Sequence, residues 1–125
     1  EVSVFSNIKS KIAMIGPITI ADYMREVLTN PKAGYYMKND VFGVHGDFIT
    51  SPEISQLFGE ILAVWTICEW QKLGQPFPCQ LIELGPGRGT MMLDILRVYE
   101  KLNIAGNTNS LSIHLVEISR AMSHF

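Results

Sequence analysis

Neither sign of charge dominates this chain, no apolar run is long enough for a membrane, and cysteine and histidine are too sparse for a metal or disulfide framework. The formal net charge is −2 over 125 residues, so nothing draws the chain generally toward nucleic acid or an anionic membrane surface. The most apolar segment, 61–68, is closed by Glu69 and falls short of the roughly 20 residues of a membrane span. Cys68 and Cys79 lie eleven positions apart without a partner motif. They read as core or surface thiols in a reducing compartment, not as a zinc site or a disulfide pair. His45, His114 and His124 are scattered, and His114 sits in an apolar run as a strand residue. No metal is expected. With 47% hydrophobic and 18% charged residues, the chain is globular rather than disordered, with room for one modest core.

The segment 80–90, Gln-Leu-Ile-Glu-Leu-Gly-Pro-Gly-Arg-Gly-Thr, organises the rest. Leu81, Ile82 and Leu84 form a short buried strand bounded by Pro78 and Gly85. Gly85, Gly87 and Gly89 alternate through a turn that needs positive φ and no Cβ. A helix follows, and its first N–H groups and positive dipole end face the turn. Strand, glycine turn and helix N-terminus form the mouth of an open α/β sheet, where ligands bind. A dinucleotide turn would place its third glycine later, as G-x-G-x-x-G. Glu83 would be poor company for a pyrophosphate and suits a cationic ligand through charge-assisted hydrogen bonds. The plain alternative is a glycine-rich connection with no ligand.

Along the chain, 1–14 shows few charges beyond Lys9 and Lys11 and little periodicity. It holds no complete targeting peptide, and the start at Glu1 suggests a leader removed or left out. Thr19 caps a helix, with Asp22 completing a version of the capping box. Ile20, Tyr23, Met24, Val27 and Leu28 share one stripe of that helix, and Asn30-Pro31 stops it. Gly34-Tyr35-Tyr36, Asn39-Asp40 and 43–47 read as loop or short hairpin. The two tyrosines either line a pocket or bury their rings with hydroxyls in water.

The longest helix follows Pro52, capped by Ser51 or by Thr50 with Glu53 closing the box. Ile54, Leu57, Phe58, Ile61, Leu62, Trp65 and Cys68 recur at helical spacing as a broad buried face. Gly74, Pro76 and Pro78 end it. Glu53 and Glu60 either face a ligand or favour the helix dipole. Asp47, Thr50, Ser51, Glu53 and Gln56 crowd the entrance to this helix. Met92, Leu93, Leu96, Tyr99 and Leu102 support a further helix over 90–102, then a polar loop over 103–110 and a second strand over 111–117. Glu117 ends that strand, 32 positions after Gly85, where such folds accept ribose hydroxyls. The alternative for Glu117 is a surface acid capping the next helix, a place Ser119 also suits.

The pattern Glu83-x-Gly85-x-Gly87-x-Gly89 looks like motif I of the Rossmann-like methyltransferases that use S-adenosylmethionine. With Gly16-Pro17-Ile18-Thr19, Gly34-Tyr35-Tyr36 and the stretch 46–60, it resembles the MidA family, mitochondrial complex I assembly-factor arginine methyltransferases with bacterial relatives. The resemblance covers nearly the whole of 16–119, and the long central motif is its most specific part. It implies a seven-strand methyltransferase fold with extra helical segments, S-adenosylmethionine as cofactor, and symmetric dimethylation of arginine on a respiratory complex I subunit in the mitochondrial matrix. It matches Glu83, Gly85, Gly87 and Gly89 to the cofactor motif and Glu117 to the acid after the second strand.

The expected architecture is α/β: an N-terminal helical segment with loops over 1–78, then the start of a Rossmann-like domain over 79–125 with an incomplete sheet. Two convincing strands and a stop soon after Glu117 suggest a fragment or shortened product of a longer protein. The expected partner is a protein substrate, without nucleic acid, membrane span or metal. No catalytic residue is assigned, though a carboxylate such as Glu53 is conceivable for orienting a guanidinium. A non-catalytic cofactor-binding or assembly module is the alternative. A nicotinamide-dependent oxidoreductase is disfavoured by the glycine spacing and by Glu83.

Overall fold

The computed structural model describes residues 3–38, 41, 46–104, 111–119 and 122–124. The expected loop positions Asn39-Asp40, 43–45 and 105–110 lie outside the described residues. The chain packs as two compact units, one through Val41 with Ile118–His124, the other Phe42–Glu117 with Phe125.

The first unit begins with a helix where the sequence reading expected none. Helix α1 is Val4–Ile15. Ser3 Oγ accepts from the Ser6 N–H at 3.1 Å, and Gly16 closes the end by donating to the Ile12 carbonyl at 2.9 Å. Val4, Ile8, Ile12 and Ile15 recur at helical spacing along α1 although none is buried; the caps and the lack of breakers before Gly16 define its ends. Helix α2, Ile20–Thr29, follows the sequence closely. Thr19 Oγ1 accepts from the Asp22 N–H at 3.1 Å and donates to the Asp22 carboxylate at 2.7 Å. An ion pair of 3.6 Å joins Lys11 of α1 to Glu26 of α2.

After Pro31 the chain turns tightly. A Cβ on Gly34 would sit 2.5 Å from the Asn30 nitrogen, so the turn admits glycine alone. The tyrosines after it form neither loop nor hairpin but a short helix, α3, Tyr35–Lys38, because the Asn30–Gly34 turn sets the chain at a helical start. Their rings meet edge to face at 5.2 Å. The Ser119 hydroxyl, buried, donates to the Tyr36 carbonyl at 2.7 Å.

The second unit carries the sheet. Helix α4 is Ser51–Ile54 and helix α5 is Gln56–Lys72. The single long helix expected after Pro52 is thus broken at Ser55, whose backbone is extended (φ −156°) and whose hydroxyl accepts from the Leu57 N–H at 3.2 Å. Ser55 caps a new helix instead of continuing the old one. Helix α5 ends at Lys72, with Gly74 at φ +86°. Strand β1 is Cys79–Leu84, helix α6 is Thr90–Lys101 and strand β2 is Leu111–Val116. The strands pair in parallel, Cys79 opposite Leu111 through Leu84 opposite Val116. Among the described residues this two-stranded sheet and its helices make an incomplete α/β fold.

The core lies between α5, α6 and one face of the sheet. Ala63, Ile67, Ile95 and Tyr99 are its buried centre, with Leu62, Leu81, Val98 and Leu111 packed around them. The Tyr99 hydroxyl reaches Thr66 Oγ1 at 2.9 Å. This corrects the expected buried face of α5. Leu57, Phe58, Ile61, Trp65 and Cys68 are exposed; the stripe turned inward is Gly59, Ala63 and Ile67. Small residues let α6 approach closely, which bulky ones forbid. A second correction concerns β1, which is covered on one face only: Leu81 and Glu83 turn toward the helices, whereas Ile82 and Leu84 are exposed. The division at Phe42 places α5 in the same unit as β1, where sequence reading divides the chain after Pro78.

At Gly59 a Cβ would stand 2.6 Å from the Asp94 Cβ. Gly59→Val is therefore expected to lower stability by about 1–3 kcal/mol through overpacking, although glycine is a poor helix former. Chemical denaturation reads this directly; an unchanged midpoint would show that α5 and α6 separate at little cost.

Candidate functional site

The C-terminal end of β1 opens into a cleft of about 390 Å³. It is lined by Glu83, Gly85 and Gly87 on one side and, on the other, by Thr50 and Glu53 of the α4 segment with Phe58 of α5. Gly85, Gly87 and Gly89 have φ of +69°, +56° and +74°. A Cβ at Gly85 would meet nothing within 4 Å, so backbone conformation, not crowding, demands glycine there. The Gly85 N–H continues the ladder to the Val116 carbonyl at 2.9 Å, and the Gly89 N–H closes the turn on the Pro86 carbonyl at 2.8 Å. Gly89 is also the N-cap residue of α6.

Glu83 is the unusual group of this cleft. It is only 8% exposed, and its Oε2 is buried without a hydrogen-bond partner. Burial holds its carboxyl above the ordinary glutamate range, since the charged form is costly where water is excluded. Parity puts it there: alternate residues of β1 face the helices, and Glu83 follows Leu81 on that side at the strand's end. An orphaned buried carboxylate oxygen beside a positive-φ turn fits a cationic ligand group.

Glu117, one residue past β2, comes to the same turn. Its Oε2 accepts from the Gly87 N–H at 3.3 Å. The two strand-end acids thus meet one glycine turn, Glu83 by lining the same cleft and Glu117 through the Gly87 amide. Glu53 sits across the cleft. Its Oε2 accepts from the Thr50 N–H at 3.1 Å and the Thr50 hydroxyl at 3.2 Å, which decides between the two candidate caps in favour of Thr50. Its Oε1 lies 4.0 Å from Arg88 Nη1 in the turn.

The sequence therefore locates Glu83, Gly85 and Gly87 on the cleft and Glu117 beside it. It passes over Thr90 and Met91 as well as Phe58 and Arg88. The crowding of polar residues before α5 was the available signal for the side opposite Glu83. Gln56 does not join it: its amide donates to Glu60 at 2.6 Å along α5. Among the described residues no cluster of histidine, cysteine and acids could hold a metal, and no helix is long and apolar enough to cross a membrane.

Glu83 has a consequence for pH. Burial raises its folded pKa, so the fold binds this proton more tightly than the unfolded chain does. Its stabilising contribution is full below the ordinary glutamate pKa and is lost as pH rises through the raised value. A cationic ligand needs the charged form, so its affinity is expected to rise with pH through that same range and then level off. Calorimetry with S-adenosylhomocysteine from about pH 5 to about pH 8 tests it. Glu83→Gln should bind more weakly and with a flatter profile; an identical profile in the variant would remove Glu83 from the binding event.

Residues 61–124 match the family described as "Putative S-adenosyl-L-methionine-dependent methyltransferase". The chain is 54% identical over 121 residues to "Protein arginine methyltransferase NDUFAF7 homolog, mitochondrial" of Drosophila melanogaster, covering 97% of this chain and 27% of that protein. It is 56% identical over 113 residues to "Protein arginine methyltransferase NDUFAF7, mitochondrial" of Homo sapiens, covering 90% of this chain and 26% of that one. A solved structure from Burkholderia thailandensis, a candidate methyl transferase bound to S-adenosyl-homocysteine, superposes with a TM-score of 0.72 at 27% identity, over 97% of this chain and 32% of that chain. The chain thus spans about a quarter of the length of these curated relatives.

Proposed function

Because the chain belongs to this S-adenosyl-L-methionine-dependent methyltransferase family, we propose that it forms part of the cofactor site of a protein arginine methyltransferase. The observation that carries the reading is the orphaned Glu83 carboxylate oxygen in the glycine-turn cleft. Bound there, S-adenosylmethionine supplies an electrophilic methyl group on a sulfonium. Glu83 receives the ligand's cationic amino end, and the charge-assisted bond formed offsets the cost of burying its carboxylate. Gly85 and Gly87 let the backbone approach the ligand, whereas Gly89, buried and off the cleft, serves as the left-handed N-cap of α6, whose N-terminus adds a fixed dipole. Glu117 takes the ribose hydroxyls while its other contact keeps the Gly87 amide in place. These groups position; with a sulfonium already a good leaving group, positioning supplies most of the rate.

The acceptor in this reading is an arginine of a respiratory complex I subunit, dimethylated symmetrically, and the compartment is the mitochondrial matrix. The names of the curated relatives support an arginine acceptor and the mitochondrion; the complex I subunit, the symmetric product and the matrix are what the resemblance of the 46–60 motif to the assembly-factor family implies. A cofactor-binding assembly module without chemistry remains the second reading, since the chain covers so little of its relatives.

The test is methyl transfer from labelled S-adenosylmethionine to complex I subunits by the protein, with the modified residue located by mass spectrometry. Symmetric dimethylarginine is the expected product; binding of cofactor without any transfer would favour the assembly module. Glu117→Ala gives a finer check. Two hydrogen bonds to a charged acceptor, about 1.5–3 kcal/mol each at most, are lost, so affinity for S-adenosylhomocysteine should fall at least about tenfold. A drop under about threefold would make Glu117 a surface acid.

A further inference from the structure

The cleft holds two carboxylates, and the cofactor reading uses only one. Glu83 lies at the end of β1 with an unpartnered, buried oxygen. Glu53 lies on α4, across the cleft. Its side chain is 15% exposed, so its charge is partly shielded from water. The capping bonds from Thr50 hold Oε2 and fix the carboxylate's orientation. Oε1 is the oxygen nearer a guanidinium, that of Arg88, at 4.0 Å. That contact is at the outer limit of an ion pair, and the Arg88 side chain is 40% exposed. Such a pair is weak and easily exchanged.

We propose that Glu53 is the acceptor-binding carboxylate of this cleft, and that Arg88 holds, within the chain, the place that the substrate's guanidinium takes. The assignment rests on the arginine methyltransferase reading and names its acceptor subsite. A guanidinium is a planar fork of donors matched to a carboxylate, whereas an ammonium is a point charge. A carboxylate with one oxygen anchored by a capping box and the other turned to a guanidinium is suited to that geometry. The two acids then divide the labour: Glu83 serves the cationic end of the cofactor and Glu53 the cationic acceptor. Arg88, carried on the glycine turn itself, competes with the acceptor until a substrate displaces it. The competing explanation is that the Glu53–Arg88 pair only pins α4 against the turn.

The experiment uses the intact protein, an arginine-containing peptide as acceptor, and butylguanidinium with butylammonium as probes. Glu53→Gln keeps an oxygen for the Thr50 bonds but removes the charge. It should lower kcat/KM for the peptide by about 30-fold or more, abolish competitive inhibition by butylguanidinium, and change S-adenosylhomocysteine affinity by less than about twofold. Arg88→Gln should tighten butylguanidinium at least about threefold while butylammonium changes little. That second variant keeps the test decisive if Glu53→Gln fails to fold. Peptide kcat/KM within about threefold of wild type in Glu53→Gln overturns the assignment, as do a parallel loss of cofactor affinity or unchanged butylguanidinium binding in Arg88→Gln. If the wild type modifies no arginine at all, the arginine methyltransferase reading itself fails and takes this assignment with it; an active wild type with an equally active Glu53→Gln fails the assignment alone.

Discussion

Gly87→Val is expected to cost the intact protein at least about a hundredfold in affinity for S-adenosylhomocysteine, or about 2.7 kcal/mol. Gly87 sits at φ +56° on the wall of the cleft. A β-branched residue adopts that conformation only with strain. Relaxing the strain moves the turn, and moving the turn breaks the contact between the Gly87 N–H and Glu117. If the backbone holds instead, the added side chain occupies space in the cleft. Either outcome removes the ligand, while the core formed by Ala63, Ile67, Ile95 and Tyr99 is untouched. Calorimetry beside a thermal scan separates the two effects. Unchanged affinity in a folded variant would show that the glycine turn does not receive the cofactor.

A comparably large effect is expected when residues 1–125 are produced alone: no measurable methyl transfer, a broad unfolding transition, and strong binding of a dye that reports apolar surface. The reason is the amount of apolar side chain left facing water. Leu84 is 78% exposed and Trp65 56%, and each stands in a row. Ile82, Leu84 and Val116 line one face of the sheet, and Leu57, Ile61, Val64 and Trp65 line one side of α5. A parallel strand as apolar as β1 is normally covered on both faces. Among the described residues it pairs only with β2, so its other edge offers unpaired backbone groups to a neighbour. Contiguous patches of this kind favour association over a sharp monomeric transition. A cooperative transition, weak dye binding and measurable turnover would show that this chain is sufficient by itself.

Much of the local structure follows from residues close together in sequence. Thr19 with Asp22, Thr50 with Glu53, and the stop at Gly74 each act within a few positions, so their chemistry predicts their geometry. The same holds for β1, the glycine turn and α6, where the alternation of glycine and the apolar run are adjacent. Helix α6 and strand β2 also fall close to where periodicity puts them. What periodicity could not settle was which side of α5 is buried. Bulky residues mark one face, but the face that packs is the one with Gly59 and Ala63, because α6 comes too near for anything larger. That choice depends on Asp94 of α6, 35 positions from Gly59, and is invisible in α5 itself. Helix α1 has apolar residues at helical spacing, Val4, Ile8, Ile12 and Ile15, but none is buried, so that stripe marks no packed face among the described residues.

The cleft divides in the same way. Glu83 and Glu117 were legible as acids at strand ends, since strand parity and the strand–turn–helix order are properties of sequence. The contact of Glu117 with the Gly87 amide spans 30 positions, and the approach of Glu53 to Arg88 spans a helix and a strand. Each arises because parallel pairing of β1 with β2, and packing of α5 on α6, carry distant segments to one end of the sheet. Local chemistry names the groups able to meet a ligand; the long-range pairing of strands and helices decides which of them share a cleft.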